Sequence, residues 1–278
     1  MRRSHRLVPF VVIAAALPLL ASCTRAPATS SVRLVAHDYG YAVEGTPTAG
    51  TVVLTLVNEG KELHHSQLLH LTGGKTLADL AQADLEHGPP AWARGLGGPN
   101  ATEPGDSNVA YVDLDAGDYA VICFIPAADG QPHLAKGMVA GFTVAAAGAD
   151  ARATAPAPDA TIRLKDFSFD LPDTLAAGRH TLLVVNDGPQ PHELVLFRLD
   201  DGRTSDDFMG WVQAGFKGAP PAQGEGGTVG LEPGTSNTIV RELKPGRYVL
   251  LCFVPNSAGQ GEPHVMLGMR REIVVRAS

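Results

Sequence analysis

After residue 31 the chain is a succession of short apolar runs, cut by clusters of Gly, Pro, Asn and Asp. The runs at 32–36, 51–57, 109–114, 119–124 and 139–144 are rich in β-branched and aromatic residues, which predicts strands. The same kind of run returns at 161–164, 180–185, 193–197, 238–243, 247–253 and 272–275. Short strands at this spacing predict an all-β protein of antiparallel sandwich type. One helix interrupts each half, expected over 76–85 and 205–214, with Thr76 and Ser205 as N-caps.

The two halves are copies of one module. Glu103-Pro104-Gly105, Gly117-x-Tyr119 and Cys123-Phe124-x-Pro126 recur as Glu232-Pro233-Gly234, Gly246-x-Tyr248 and Cys252-Phe253-x-Pro255, all at an offset of 129 residues. Asn58-x-Gly60 returns as Asn186-x-Gly188 at 128, and Pro132-His133 and Gly137-Met138 as Pro263-His264 and Gly268-Met269 at 131. Loops absorb the small differences while the blocks hold register. The expected organisation is therefore a first domain at 32–145, an Ala/Pro-rich linker at 146–160 and a second domain at 161–276.

The amino terminus changes the picture of where the protein acts. Arg2, Arg3 and Arg6 precede 13 mainly apolar residues, Val8 to Leu20, a stretch too short to span a bilayer but suited to a secretory signal. Leu20-Ala21-Ser22-Cys23 resembles a bacterial lipobox. That resemblance implies a signal peptide at 1–22, lipidation of Cys23, and a tether over 23–31 holding the protein at a membrane in the periplasm or on the cell surface. The formal charge is −7 for the whole chain and −10 once the three arginines of 1–22 are removed. So acidic a protein is poorly suited to nucleic acid.

With Cys23 lipidated, the remaining cysteines are Cys123 and Cys252, one per module. Each is followed by a histidine and then a methionine: His133 and Met138, and His264 and Met269. A second histidine follows each Asn-x-Gly turn, at His64 and His192. Two imidazoles, a thiolate and a weak thioether are the donor set of a blue-copper site, since soft sulfur selects copper. Zinc sites seldom use methionine, and a Cys123–Cys252 disulfide would need equivalent strand ends of two domains to meet. His65 adjoins His64 but has Glu193 as its counterpart, so His64 is the better ligand; Met266 is an alternative to Met269. Phe124 and Phe253 are expected to pack beneath the metal loops, and Trp92 and Trp211 have no evident role.

Through Asn-x-Gly-x-x-x-His, Gly-x-Tyr-x-x-x-Cys and His-x₄-Met, both halves resemble the cupredoxins: plastocyanins, azurins and the copper domains of nitrite reductase. The resemblance implies two tandem Greek-key β-sandwiches. It implies two type 1 coppers per chain, with His64, Cys123, His133 and Met138 at one site and His192, Cys252, His264 and Met269 at the other. It also implies single-electron transfer with redox partners of the cell envelope, leaving through the edge of His133 or His264. Some two-domain cupredoxins form trimers, so a homo-oligomer is among the expectations. The Cys-to-His loops, with nine and eleven intervening residues, are longer than in the small electron carriers.

Ile122 and Phe124 flank Cys123, Leu251 and Phe253 flank Cys252, and the chain contains no His-x-His pair. The ligands of a catalytic copper cluster are thus missing from the sequence, and the expectation is a protein that is not an enzyme. Gly-x-Ser-x-Gly and His-Glu-x-x-His are absent too. Two other readings stay open: a copper sink or carrier using the same ligands, and a metal-free sandwich serving as scaffold or adhesion module.

Overall fold

A computed structural model describes residues 30–85, 88–147 and 154–277. The signal peptide, Cys23 and most of the tether lie outside the described residues, as does the middle of the linker. No described helix is long and apolar enough to cross a membrane.

In the first module the strands are β1 (Ser31–His37), β2 (Gly40–Glu44), β3 (Gly50–Asn58), β4 (Gln67–Leu71), β5 (Ala93–Gly95), β6 (Ser107–Leu114), β7 (Gly117–Ile122) and β8 (Val139–Val144). In the second they are β9 (Ala160–Lys165), β10 (Ser168–Asp170), β11 (Thr174–Ala176), β12 (Gly178–Asn186), β13 (His192–Leu199), β14 (Ala222–Leu231), β15 (Ser236–Leu243), β16 (Gly246–Leu251) and β17 (Arg270–Arg276). Each module is an all-β sandwich of the cupredoxin-like Greek-key type with one helical insertion.

Period-two patterning explains the layers. Along β3 the inward residues Val52, Leu54 and Leu56 are fully buried while their neighbours are half-exposed. They meet Tyr119 and Val121 of β7 across the first sandwich, and Leu182 and Val184 meet Tyr248 and Leu250 across the second. Tyr119 and Tyr248 donate hydrogen bonds to the carbonyls of Asp115 and Lys244, 2.9 Å away, and so close equivalent corners.

The first helix is smaller than expected, and the second falls within one residue of its expected span. In the first module α1 (Leu77–Leu80) is a single turn, and in the second α2 (Ser205–Gln213) is capped by Thr204 and not by Ser205. Both caps form the reciprocal Thr/Asp capping box, Thr76 with Asp79 and Thr204 with Asp207. Beyond Leu80 the chain turns at once, with only Leu80 buried on α1. Too little apolar face is available to carry a longer helix.

The sandwiches share a sheet, which the sequence did not foretell. The eight-stranded order is β10-β9-β12-β15-β6-β3-β1-β2, with β15 and β6 antiparallel at the centre. Thr238 pairs with Tyr111, Ile239 with Ala110 and Val240 with Val109. Since β6 and β15 are the same strand of the repeat, the join is self-complementary, like the face of a two-fold dimer within one chain. It removes an exposed strand edge from each module. The other layers are separate: β11-β17-β16-β13-β14 and β5-β4-β7-β8.

The segment 96–102 of the first module runs into the second. Leu96 and Pro99 form bridges with Leu231 and Thr228, Gly98 donates to Asn237 Oδ1 at 2.8 Å, and Asn237 Nδ2 donates to the Leu96 carbonyl at 3.0 Å. Gly97 and Gly98 both take positive φ there. A Cβ on them would sit 2.1 Å from Asn237 Oδ1 and 2.2 Å from the Ser66 carbonyl oxygen. Only glycine fits this crossing.

Candidate metal centres

Each module gathers one cysteine and two histidines at one end of its sandwich, and all six side chains are fully buried. In the first, His64 Nδ1 lies 3.1 Å from His133 Nδ1, and Cys123 Sγ lies 3.5 Å from the latter. In the second, His192 Nδ1 and His264 Nδ1 are 2.9 Å apart, with Cys252 Sγ at 4.0 and 3.4 Å respectively. Cys123 and Cys252 are free thiols.

Local structure places these groups. Asn58 Oδ1 accepts the Gly60 N–H while its Nδ2 donates to the carbonyls of Glu62 and Thr102, so the turn delivers His64 inward. Asn186 does the same through Gly188, Gln190 and Leu231. A Cβ on Gly60 or Gly188 would come within 2.7 or 2.6 Å of the histidine Nε2, so the Asn-x-Gly glycine is required by close approach. On the other side, His133 N–H donates to the Ile125 carbonyl at 2.9 Å and Leu134 N–H to that of Cys123 at 2.8 Å. The short 3₁₀ turn His133–Lys136 then ends at Gly137 in the left-handed region, and Met138 N–H returns to the His133 carbonyl at 3.0 Å. His264–Leu267, Gly268 and Met269 repeat every step.

Met138 and Met269 are fully buried in the same core cluster as Cys123 and Cys252, whereas Met266 is 45% exposed. His65 turns away from the cluster: its Nε2 accepts the Phe124 N–H at 2.8 Å, and Glu193 Oε1 accepts that of Phe253 at the same distance. Phe124 and Phe253 are half-buried, at the margins of two smaller apolar clusters. Trp211 packs against Phe208 and Phe216, and Trp92 lies under Lys75.

Four residues complete the sites. His64 Nε2 is 3.0 Å from Asp38 Oδ1, His133 Nε2 is 2.8 Å from Glu62 Oε2, and His192 Nε2 is 2.6 Å from Asp166 Oδ1. His264 Nε2 is 3.1 Å from Gln190 Oε1. Every Nε2 thus faces an acceptor and carries the proton, leaving each Nδ1 lone pair aimed into the cluster. The sequence does contain a signal for these residues. Asp38/Asp166 and Glu62/Gln190 recur at the same 128-residue offset as the Asn-x-Gly turns.

This arrangement fits a soft metal ion. Two unprotonated nitrogens 2.9–3.1 Å apart repel until a cation lies between them. Donors bound to one ion at about 2.0–2.3 Å are at most about 4.6 Å apart, and the spacings of 2.9–4.0 Å between these donors satisfy that limit. Burial depresses the basicity of His64 and His192 and brings His264 down to about 4, so these imidazoles are neutral and ready to coordinate at pH 7. Burial also pushes the Cys123 thiol up to about 11 and that of Cys252 well up, against backbone N–H bonds that favour the thiolate.

The two centres are not identical. Tyr41 donates to the His65 carbonyl, and its hydroxyl stands beside Cys123. Phe169 holds the corresponding position in the second module and carries no hydroxyl. Tyr39 and Phe167, also a repeat pair, lie against His133 and His264 with ring centroids 4.9 and 5.0 Å apart.

No family model and no curated protein matches the chain. Among solved structures, it is similar to dithionite-reduced auracyanin from the photosynthetic bacterium Roseiflexus castenholzii, with 25% identity over 42% of this chain and 94% of that one and a TM-score of 0.30. A copper nitrite reductase from Nitrosomonas europaea is 15% identical over 89% of this chain and 94% of its own, with a TM-score of 0.25. A blue copper oxidase from the same organism is 13% identical over 89% and 85%, with a TM-score of 0.23.

The expectation that the chain is not an enzyme is corrected at this point. It rested on the absence of a contiguous His-Cys-His run and of His-x-His pairs. Tertiary structure nevertheless builds a His/Cys/His group in each module, from residues as far as 72 positions apart. Contiguous motifs are therefore too narrow a ground on which to exclude catalysis.

Proposed function

We propose that the chain is an exported, lipid-anchored copper protein with two type 1 sites that moves single electrons in the cell envelope. The observation that carries this reading is the pair of buried His/Cys/His groups whose Nδ1 lone pairs are aimed inward by Asp38, Glu62, Asp166 and Gln190. His64, Cys123, His133 and Met138 would hold one ion, and His192, Cys252, His264 and Met269 the other. Copper bound there supplies a one-electron couple.

The chain's own part is to hold its donors still and dry. Hydrogen bonds to each Nε2 fix the imidazole planes, backbone N–H groups fix the thiols, and full burial excludes water. A donor set that moves little between oxidation states suits electron transfer, either to partner proteins or within an oxidoreductase. Complete burial of every donor also argues for retention of the metal over carriage to an acceptor. Anchoring rests on Cys23, and the domain limits 32–145 and 161–276 with their linker belong to the same proposal.

The decisive experiment is a visible absorption titration of the chain lacking residues 1–23 with Cu(II). An intense thiolate-to-copper band should saturate at two equivalents, halve in Cys123→Ala and vanish when Cys252→Ala is added. Absence of the band together with loss of copper to a chelator would overturn the reading in favour of a metal-free sandwich or a carrier. Labelling with a radioactive fatty acid, lost in Cys23→Ser, tests the anchor separately.

A further inference from the structure

Two buried ionisable side chains beside the metal groups have no part in coordination: His65 and Glu193. They are repeat counterparts, one residue after His64 and His192 respectively. Each accepts the backbone N–H of the residue following the cysteine of its own module, Phe124 or Phe253. Between them lies Asn100, 2% exposed, on the segment of the first module that runs into the second. Its Nδ2 donates to Glu193 Oε2 at 3.3 Å and approaches the Leu194 carbonyl at 3.4 Å, while next to it Ser66, the residue after His65, donates its N–H to the Pro99 carbonyl at 2.9 Å.

Hydrogen bonds and covalent bonds thus run without a break from Cys123 through Phe124, His65 and Ser66, across to Pro99 and Asn100, and on through Glu193 and Phe253 to Cys252. His64 and His192 join the same line through the main chain. Asn100 has no counterpart in the repeat, since Val229 stands at the equivalent position, so the connection is made once and on purpose of neither module alone. Its surroundings are fixed: Asn100 Oδ1 accepts the Ala101 N–H at 2.8 Å, and the Asn100 carbonyl accepts from Asn108 Nδ2 at 2.9 Å. Electronic coupling falls off less steeply across a rigid hydrogen bond than across a gap between packed surfaces.

We propose that Asn100 bridges the two metal centres and that electrons pass between them inside one chain along the His65–Asn100–Glu193 line. The proposal rests on the two-copper reading above. In the step itself, one electron leaves the reduced ion of one module and enters the oxidised ion of the other, with no proton transferred and no third reactant. Asn100 is a positioning residue here, touching neither ion.

The test uses the purified two-copper chain, reduced by half, with NMR signals of Tyr41 and Phe169 reporting the first and second centres. Serial dilution separates exchange within one chain from exchange between chains. The expected result is an exchange rate that persists on dilution and falls by an order of magnitude or more in Asn100→Leu. Because Asn100 also holds its own loop, Asn100→Asp provides a second variant: it keeps the acceptor for Ala101 and loses the donor to Glu193, and it should slow exchange likewise. Both variants should retain the thiolate–copper band at two equivalents. Exchange that vanishes on dilution of the unmodified chain, or that is unchanged in both variants, would overturn the bridge while the band leaves the two-copper reading standing. Absence of the band in the unmodified chain would instead overturn both.

Discussion

Nε2 of His192 stands 2.6 Å from Oδ1 of Asp166, and this contact decides which imidazole nitrogen is left for a metal. Asp38 performs the same service for His64 at 3.0 Å. Replacing either aspartate by asparagine lets the side-chain amide present a donor to Nε2 and frees the ring to take the wrong tautomer. We expect Asp166→Asn to weaken copper binding at the second centre by about 10- to 100-fold, and Asp38→Asn to do so at the first. Competition with a chelator of known affinity, followed at the thiolate band, measures each loss.

Metal uptake should release protons from the thiols and not from His64, His192 or His264. Burial holds Cys123 at about 11 and Cys252 well above the usual thiol range, so both are protonated at pH 7, whereas His264, at about 4, is already neutral. Coordination requires the thiolate. One proton per filled site should therefore appear in a weakly buffered titration near pH 7, and apparent affinity should rise as pH rises. A pH-independent affinity would mean that the thiols do not bind the metal.

Tyr41 should make the two centres differ in potential. Its hydroxyl, which donates to the His65 carbonyl, stands beside Cys123 and can turn its proton to a thiolate there, withdrawing electron density from the sulfur and favouring the reduced ion; Phe169 offers Cys252 no such donor. Spectroelectrochemical titration of Tyr41→Phe should show one transition moved to lower potential and the other unmoved. Phe169→Tyr should raise the second.

Gly98 lies in the crossing segment, tight against Ser66 of its own module. With φ of +119° and a would-be Cβ 2.2 Å from the Ser66 carbonyl oxygen, Gly98→Ala must displace main chain. A loss of about 1–3 kcal/mol is expected in urea denaturation, with both metal sites retained in the folded fraction. An unchanged midpoint would show that the crossing yields more readily than its geometry implies.

Much of this was present in the sequence because the chain is written twice. Duplication exposed the strands, the Asn-x-Gly turns and the eight candidate donors, since their spacing is set by local geometry that survives divergence. The same comparison carried Asp38, Glu62, Asp166 and Gln190 at the 128-residue offset, but Asp38 and Asp166 reach the histidines only because β1 and β9 fold back, and Glu62 and Gln190 face histidines more than 70 positions away. The first helix came out shorter because capping is local while length depends on an apolar face that only packing supplies.

Residue types and their repetition settled the all-β class and nominated the donor set, because patterning and ligand chemistry act over a few residues. The sequence did not settle how the modules meet. Pairing of β6 with β15 and passage of 96–102 beside Asn237 bring together residues more than 120 positions apart. Equivalent strands could have stayed as two free edges; steric fit at Gly97 and Gly98 and the burial of Asn100 against Glu193 decided otherwise, and such fit exists only in the folded chain.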